Sequence, residues 1–377
     1  MNIAVISPNF PYGKSISFVF VEQLCREFAE LGHRVTVVSP QSLTYAIFRR
    51  KPLAPRKYSF TTNKGASINV YRPYCLSLSN GRFSVKQFNK TVNNALNAIR
   101  GEKFDVIYGH FWESAFAGSK YAQEKGLPLF AVAGEDYIIF DRYITPEEKK
   151  TLRNFVKGCI CVSTKSKEES VSHGLISENG CKVIPNAINP SLFYKKDKLE
   201  LRKRYGFGSD DFIVAFVGQF TNRKGPLRVS KALEEINNDR IKALFIGSGP
   251  ELPTYKHIIV NGTIKHDQLP DYLNIADAFV LPTLSEGCCN AIIEAMACGL
   301  PVVSTDASFN RDILDETNSI LINPNSVEDI KTAIIKLYED KALRDSLSEG
   351  SLKAAKELTL DKRAKRILDF IHEKIRT

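Results

Sequence analysis

Two successive series of alternating strand and helix patterns run through this chain and limit the folds open to it. In the first series, an apolar run at residues 2–7 is followed by apolar residues at helical spacing over 17–31 and by a second apolar run at 34–39. A strand, a helix and a second strand in this order form a βαβ unit, and such units build parallel sheets. The pattern returns with strands predicted at 104–108, 129–132, 159–163 and 181–184. The first half therefore predicts a doubly wound α/β domain.

The second series follows a polar, charged segment at residues 189–211, whose composition is typical of a domain linker. With 377 residues the chain is long enough for two medium-sized cores, and we predict domains at 1–188 and 189–360. Strands are predicted at 212–217, 242–246, 278–281 and 301–304, and helices at 226–236, 267–275, 289–298, 327–338, 341–358 and 361–375.

Basic residues are concentrated in one segment. From Leu31 to Gly101 the sequence has twelve Lys or Arg residues and no Asp or Glu; because the formal net charge is +10, the rest of the chain sums to −2. Aromatic residues such as Tyr45 and Phe48 are interleaved with these cations. An anionic membrane surface, an acidic acceptor or nucleic acid would each fit this segment. A solvated basic face without a partner is the simpler alternative.

The sequence argues against several classes of protein. Its eight Cys residues lack the spacing of a zinc ribbon or a disulfide framework, so we expect reduced thiols and no metal site. It contains no Asp-x-Asp pair, no P-loop and no complete Gly-x-Gly-x-x-Gly turn, which lowers the case for a divalent-metal clamp or a dinucleotide oxidoreductase. No apolar run approaches the roughly 20 residues of a membrane span, and the first residues lack signal-peptide features. We therefore expect a cytoplasmic protein.

The strongest candidate site lies in residues 285–301, which read Ser-Glu-Gly-Cys-Cys-Asn-Ala-Ile-Ile-Glu-Ala-Met-Ala-Cys-Gly-Leu-Pro. Glu286 is predicted in a loop, and residues 288–290 open a helix whose first N–H groups suit a phosphate. Gly287 lets a ligand approach the backbone closely. Asn290 and Glu294 are four residues apart and share a helix face. The pattern suits a sugar phosphate, although an ordinary loop acid and a solvated helix acid would look the same.

A second candidate is the loop between the strand at 212–217 and the helix at 226–236. It begins with Gly218 and Gln219 and ends with two adjacent cations, Arg223 and Lys224, before Gly225. Fixed cations beside a helix N-terminus can neutralise a departing diphosphate without a metal ion. Surface cations of an ordinary loop are the alternative.

Three loops of the first half, at residues 9–15, 109–114 and 133–136, follow predicted strands and therefore share one rim of the sheet. His110 in this rim is suited to donating a hydrogen bond to a substrate. A histidine whose hydrogen bonds are satisfied within the fold is the alternative.

The segment 285–301 closely resembles the Glu-x7-Glu signature of family-4 retaining glycosyltransferases. Residues 218–225 resemble the cation loop of the same family. Residues 183–188, Val-Ile-Pro-Asn-Ala-Ile, resemble its domain junction, and residues 32–37, Gly-His-Arg-Val-Thr-Val, resemble its second strand. The resemblance spans essentially the whole chain.

This resemblance implies a GT-B type α/β fold, with two facing Rossmann-like doubly wound domains and an interdomain cleft. It assigns the acceptor to the N-terminal domain and a nucleotide-diphosphate sugar to the C-terminal domain, and it implies that the helix at 361–377 crosses back to the first domain. The donor would be a UDP-, GDP- or ADP-sugar, and neither a cofactor nor a metal ion is expected.

The resemblance also implies roles for individual residues. Glu294 would bind the ribose hydroxyls, Glu286 the donor sugar, and Lys224 with Arg223 the diphosphate. The predicted catalytic residues are Lys224, Arg223, Glu286 and His110; the donor site comprises Gly13, Gly218, Gln219, Ile264, Gly287, Cys288, Cys289, Asn290 and Glu294; Glu135 and Trp112 lie on the acceptor side.

Two positions depart from the family pattern. Gln219 stands where the family often has Arg, and Ala133 stands where it often has a His that contacts the donor sugar. Arg223 would supply the positive charge that Gln219 lacks. Glu135 or His110 would take over the polar contact that Ala133 cannot make.

These observations predict a retaining, metal-independent transfer of a sugar to a glycan or lipid-linked acceptor, in the synthesis of a cell-surface polysaccharide or glycoconjugate. The basic segment 31–101 would hold the protein peripherally at the inner face of the membrane. A sugar-nucleotide epimerase, a phosphorylase and a non-catalytic nucleotide-sugar-binding subunit are the alternatives. Nucleic-acid binding would leave the Glu-x7-Glu segment unexplained, and we expect none.

Overall fold

The computed structural model describes residues 1–13, 17–49, 52–76, 81–99 and 101–376. The chain divides into two compact units. Unit 1 contains Met1–Ile184 and the C-terminal residues from Arg363 onward, and unit 2 contains Pro185–Lys362. The domain boundaries predicted from the sequence fall after residues 188 and 360.

Both units contain strands and helices in the described part of the chain. The strands are β1 (Asn2–Ile6), β2 (Arg34–Val38), β3 (Gln41–Ser42), β4 (Lys57–Thr61), β5 (Ser67–Tyr71), β6 (Tyr74–Cys75), β7 (Val106–His110), β8 (Leu129–Ala133), β9 (Val156–Cys161), β10 (Cys181–Val183), β11 (Phe212–Val217), β12 (Ile241–Ile246), β13 (Ile258–Gly262), β14 (Ala278–Leu281), β15 (Val302–Thr305) and β16 (Ser319–Ile322). The helices are α1 (Val19–Glu30), α2 (Leu43–Arg49), α3 (Arg82–Ala98), α4 (Trp112–Lys125), α5 (Pro146–Phe155), α6 (Thr164–Ser172), α7 (Lys198–Tyr205), α8 (Pro226–Ile236), α9 (Leu269–Ile275), α10 (Asn290–Ala297), α11 (Val327–Glu339), α12 (Lys341–Ala355) and α13 (Leu360–Arg376).

Unit 1 is built on an eight-stranded sheet in the order β10-β9-β8-β7-β1-β2-β5-β4, among the residues described. Every pairing in it is parallel except that of β4 with β5. The central strand β1 is apolar from Ile3 to Ile6, and Ile3, Ala4 and Ile6 are fully buried. A strand that is buried on both faces reads as a continuous apolar run, which is why the sequence predicts β1 well. Helix α4 covers one face, with Trp112 and Ala115 in the core beneath it.

Unit 2 is built on a six-stranded parallel sheet in the order β13-β12-β11-β14-β15-β16. The order reverses between β11 and β14, because the chain moves outward from β11 to β13 and then returns to the other side of β11. Ligands of doubly wound sheets bind beyond the carboxyl ends of the strands at such a reversal. The loops that follow β11 and β14 contain the predicted site residues Lys224 and Glu286. Both units confirm the predicted doubly wound α/β class.

Some elements depart from the sequence-based expectation. Residues 189–211 are not a simple linker, because α7 forms within them and buries Leu201 and Arg202. The sequence patterns did not predict α5, the short strands β13 and β16, or the elements of the basic segment that follow β2, which include β5 and α3. Lys14 and Ser15 of the loop at 9–15, and Arg50, Lys51 and Arg100 of the basic segment, lie outside the described residues.

Two features are absent from the described ranges. No helix there combines the length and the apolar character needed to cross a membrane. No group of three or more His, Cys, Asp or Glu side chains there is arranged to hold a metal ion.

Candidate functional site

Two loops meet at the carboxyl ends of β11 and β14 in unit 2. Leu284 N–H donates to Arg223 O at 2.7 Å, which ties the β14 loop to the β11 loop. Arg228, in the first turn of α8, joins both loops: its Nη1 donates to Asn222 O at 2.9 Å and its Nη2 donates to Pro282 O at 2.8 Å. Hydrogen bonds within the protein therefore hold the backbone around Arg223 and Lys224.

A carboxylate and two cations form the centre of the site. Glu286 is 6% exposed, and its Oε1 contacts Lys224 Nζ and lies 3.1 Å from Arg223 Nη1. Thr283 Oγ1 donates to the same oxygen at 2.7 Å, and Arg223 Nη1 also donates to Ser285 O at 2.7 Å. Two cations around one carboxylate leave this cluster with a net positive charge, which suits a phosphate group.

Lys224 is almost fully buried and remains charged. Burial by itself lowers the pKa of Lys224, but the adjacent Glu286 carboxylate, together with Cys289 once its thiol is ionised, raises the pKa by more, so the net shift is upward. Lys224 Nζ lies 3.7 Å from Cys289 Sγ. Burial raises the pKa of the Cys289 thiol despite the nearby ammonium, so this thiol is neutral at neutral pH. The ammonium therefore keeps its charge for an anionic ligand.

Helix α10 begins beside this cluster. Cys289 precedes its first residue and provides no side-chain cap hydrogen bond. Asn186 Nδ2 donates to Cys288 O at 3.0 Å and to Asn290 Oδ1 at 2.9 Å, which fixes the start of the helix. The N-terminal N–H groups of a helix and its dipole favour an anion. Gly287 lies in this segment, between Glu286 and the helix.

Glu294 lies on the half-exposed side of α10. His266 Nε2 is 3.4 Å from Glu294 Oε1, and this hydrogen bond is the largest cause of the raised pKa of His266. Ile264, which follows β13, is half-buried. A carboxylate that accepts hydroxyl hydrogens and an apolar side chain near the sheet edge are compatible with a nucleoside.

The strand ends approach each other so closely that glycine is required. A Cβ on Gly247, after β12, would lie 1.8 Å from Gly218 O, and one on Gly249 would lie 2.3 Å from Phe220 O. The glycines at 247 and 249 therefore let the β11 loop take its shape. Gln219, between Gly218 and Phe220, is exposed.

The predicted first-half residues lie in unit 1, at the carboxyl ends of β1, β7 and β8. His110 is buried beside Phe111, at 4.7 Å between ring centroids, and its Nδ1 has no hydrogen-bond partner in the described part of the chain. Burial lowers the pKa of His110 to about 3, so the ring is neutral at pH 7 and donates through one nitrogen only. Gly13 is exposed with φ 62°, next to residues that the structure does not describe. Their roles stay predictions.

Trp112 and Glu135 serve the fold of unit 1. The Trp112 indole is fully buried and Nε1 donates to Ser170 Oγ at 3.0 Å, so the side chain packs in the core of unit 1, and its place on the acceptor side stays a prediction. Glu135 accepts from Trp112 N–H at 3.1 Å and from Gly134 N–H at 2.9 Å, and it thereby closes the N-terminus of α4. Glu135 is half-buried and remains a candidate for the acceptor side.

The structure adds residues that sequence reasoning missed. Thr283 and Asn186 each hold a predicted site residue, and Arg228 joins the loops. Asn186 belongs to the junction segment 183–188, which was noted without a role. The roles of Thr283 and Arg228 could not be predicted from the sequence, because single residues of these types are common in loops.

Comparisons with known proteins agree with this geometry. A model described as Glycosyltransferase Family 4 matches residues 18–192, and one described as Glycosyl transferases group 1 matches residues 197–354. The chain is a glycosyltransferase of the GT-B type. The sucrose-phosphate synthase of Thermosynechococcus elongatus superposes on it with a TM-score of 0.77 at 20% identity, covering 99% of this chain and 98% of that chain. HepE of Anabaena in complex with UDP and glucose superposes with a TM-score of 0.72 at 16% identity, covering 99% and 100%.

Two curated relatives show the range of this glycosyltransferase's homologues. A putative teichuronic acid biosynthesis glycosyltransferase of Bacillus subtilis is 28% identical, over 88% of this chain and 87% of that protein. The UDP-Gal:alpha-D-GlcNAc-diphosphoundecaprenol alpha-1,3-galactosyltransferase of Escherichia coli is 24% identical, over 74% and 78%.

Proposed function

We propose that this glycosyltransferase moves a sugar from a nucleoside-diphosphate donor to a glycan or lipid-linked acceptor, with retention of the anomeric configuration and without a metal ion. The observation that carries this proposal is the cluster of Lys224, Arg223 and Glu286 beside the N-terminus of α10. Contacts with Glu286 hold the two cations in place, and the cluster of three side chains has a net positive charge. Preorganised charge of this kind stabilises a leaving group at no cost of reorganisation.

The reaction follows from the chemistry of the leaving group. The bond between the anomeric carbon and the donor phosphate breaks, and its electron pair passes to the diphosphate, where Lys224 and Arg223 neutralise the new charge. The acceptor oxygen bonds to the anomeric carbon on the same face, and its proton passes to the departing phosphate oxygen. A protein base is therefore not required. Unchanged activity in EDTA and an NMR measurement of the product's anomeric configuration test these two features.

Glu286 and Glu294 would divide the remaining donor contacts. Glu286 is held by three groups, so its carboxylate can accept a sugar hydroxyl without moving. Glu294 would accept the ribose hydroxyls, with His266 holding its carboxylate. The relative whose name states a UDP-sugar donor and a diphosphoundecaprenol acceptor supports a lipid-linked acceptor as one option. The relative of teichuronic acid biosynthesis supports a role in cell-surface polysaccharide synthesis.

We expect the protein at the inner face of the membrane, in line with the basic segment 31–101 and the exposed Phe48 and Ile47 on α2. Co-sedimentation with vesicles tests this location. Binding should rise with the fraction of anionic lipid, and indifference to that fraction would contradict the membrane part of the proposal.

Donor binding and turnover test the site separately. Glu294→Gln should weaken the binding of the preferred UDP-, GDP- or ADP-sugar, because two ribose hydrogen bonds lose a charged acceptor.

Lys224→Ala should lower turnover by about 10²-fold or more, the scale expected when a preorganised charge is removed. Glu316→Gln and Lys231→Ala change exposed residues of unit 2 and serve as matched controls. Unchanged donor affinity in the first variant, or near-normal turnover in the second, would contradict the proposal.

A further inference from the structure

Two adjoining cavities lie in unit 1 at the carboxyl ends of β1 and β2. Their volumes are about 610 and 390 Å³, and Pro8, Pro40 and Ser42 line both. Together they form a continuous trough along the rim of the sheet, which we call the β1–β2 trough. A trough of this size is large enough for a ligand of several linked groups.

The larger cavity contains a buried cation. Arg72, which follows β5, is 6% exposed and lines this cavity. Its guanidinium contacts Phe10 O and donates to Asn9 Oδ1 at 3.1 Å, and its Nε has no hydrogen-bond partner among the described residues. These partners are neutral, and no ion pair in the described part of the chain includes Arg72. Because an arginine stays charged at neutral pH, this positive charge is left uncompensated beside the cavity. An anionic group bound there would compensate it.

The smaller cavity contains a carboxylate. Glu113, in the first turn of α4, lines it and is half-buried. Glu113 forms no hydrogen bond or ion pair with the described residues, and burial raises the pKa of its side chain. A carboxyl group in this state can accept from hydroxyl groups or donate to them. The smaller cavity therefore suits a hydroxylated group such as a sugar ring.

Large apolar side chains lie exposed at the other end of the trough. Tyr45 and Leu53 line the larger cavity. On the same helix as Tyr45, Ile47 is 72% exposed and Phe48 is 82% exposed. Exposed apolar side chains grouped on one short helix favour contact with hydrocarbon. The surrounding segment 31–101 lacks acidic residues, so nothing in its sequence repels an anionic lipid.

We propose that the β1–β2 trough binds a prenyl phosphate-linked sugar as the acceptor, with the phosphate beside Arg72, the hydrocarbon along α2 and the sugar beside Glu113. The proposal rests on the proposed function and names its acceptor class. A soluble anionic glycan would use the cation and the carboxylate but would leave Ile47 and Phe48 in water. The exposed apolar helix therefore favours the lipid-linked form.

Isothermal titration calorimetry with three probes tests this assignment. Farnesyl diphosphate carries both the hydrocarbon and the anion, inorganic pyrophosphate carries the anion alone, and farnesol carries the hydrocarbon alone. Farnesyl diphosphate should bind at least tenfold more tightly than either of the others. Equal affinity for pyrophosphate and farnesyl diphosphate would overturn the proposal in favour of an anion site without lipid specificity.

Variants assign the two contacts. Arg72→Gln should weaken farnesyl diphosphate binding tenfold or more and leave farnesol binding unchanged. Ile47→Ser with Phe48→Ser should weaken farnesyl diphosphate binding severalfold and leave pyrophosphate binding unchanged; both residues are exposed, so this variant tests the proposal even if Arg72→Gln fails to fold. An unchanged affinity in the Ile47 and Phe48 variant, or in a folded Arg72→Gln variant, would overturn the proposal.

Lys224→Ala separates the two sites. It changes the proposed donor site in unit 2, so farnesyl diphosphate should bind this variant as tightly as the unchanged protein. A loss of binding in Lys224→Ala would mean that the probe occupies the donor site, and the trough assignment would be wrong. Loss of the expected effects of Lys224 and Glu294 on the donor, with prenyl diphosphate binding intact, would instead overturn the proposed function alone.

Discussion

At the scale of single residues, buried charges in this glycosyltransferase are stabilised in different ways. Glu286 is surrounded by two cations and a hydroxyl group, and its signature spacing makes it recognisable in the sequence. Glu135 pairs with no cation of the described ranges and accepts from two backbone N–H groups. The sequence could indicate that Glu286 and Lys224 belong to a phosphate site. It could not indicate that they contact each other, because that depends on which strands are neighbours in the sheet.

The Glu135 carboxyl group should make the stability of unit 1 depend on pH. Burial raises its pKa from an ordinary value of 4.5 to about 7, despite the backbone hydrogen bonds. Between these values the unfolded chain releases a proton that the folded chain keeps, so this group's contribution to stability falls as the pH rises from about 4.5 to about 7 and is constant above.

Glu135→Gln should remove that contribution. The free energy of unfolding, measured with urea at pH 5 and pH 8, should fall less between the two values in this variant than in the unchanged protein. Glu124→Gln changes an exposed carboxylate on α4 and should preserve the original difference. Equal pH dependence in the protein and in Glu135→Gln would show that the carboxyl group titrates normally.

At the scale of elements, α7 shows what composition alone misses. Its segment is rich in Lys and Arg, which is typical of a solvated linker, yet Arg202 is 3% exposed. Arg202 Nη2 lies 2.6 Å from Asp277 Oδ2, and the guanidinium also donates to Ile275 O. Asp277 in turn accepts from Ile213 N–H at 2.7 Å, so α7 is bound to the start of β11. A buried ion pair between distant residues has no periodic signal in a sequence.

Breaking this pair should be costly. Arg202→Met leaves Asp277 buried with one of its cations lost, and we expect the free energy of unfolding to fall by about 3 kcal/mol, since removing one partner of a buried pair costs about 3–5 kcal/mol. Arg202→Met combined with Asp277→Asn should lose less than the sum of the single variants. Lys203→Ala, at an exposed position of the same helix, is the control. A loss below about 1 kcal/mol in urea unfolding would mean that Lys198, 2.7 Å from Asp277 Oδ1, suffices alone.

Long buried strands and amphipathic helices were the predictable elements, and short or edge elements were not. The limits of β11 and α8 agree with the sequence, because the first is a run of apolar residues and the second begins with Pro226. Strand β13 was missed, since its residues are half-exposed at the edge of the sheet and lack a continuous apolar pattern. Strand β4 alternates between exposed and half-buried residues without a fully buried face. Tertiary position decides such strands more than propensity does.

At the scale of the whole molecule, the chain returns to unit 1 after completing unit 2. From Arg363 onward α13 belongs to unit 1, where the Arg363 guanidinium contacts Ile184 O and Phe370 packs edge-on against Phe130 with ring centroids 6.1 Å apart. Ile367 and Ile371 are fully buried. The predicted final helix had a clear apolar period, but only the family resemblance assigned it to the first domain. Unit 1 therefore depends on residues from both ends of its sequence.

Phe370→Ala should destabilise unit 1 measurably. Truncating a buried phenylalanine costs about 3–5 kcal/mol, because it removes apolar contacts and leaves a cavity beside Phe130 and Gly158. Trp112 is the one tryptophan of the sequence and lies in the core of unit 1, so intrinsic tryptophan fluorescence reports the unfolding of that unit. The urea midpoint of this signal should fall in Phe370→Ala and stay constant in Lys365→Ala, which changes an exposed residue of the same helix. A midpoint that stays constant in both variants would mean that α13 contributes little to the stability of unit 1.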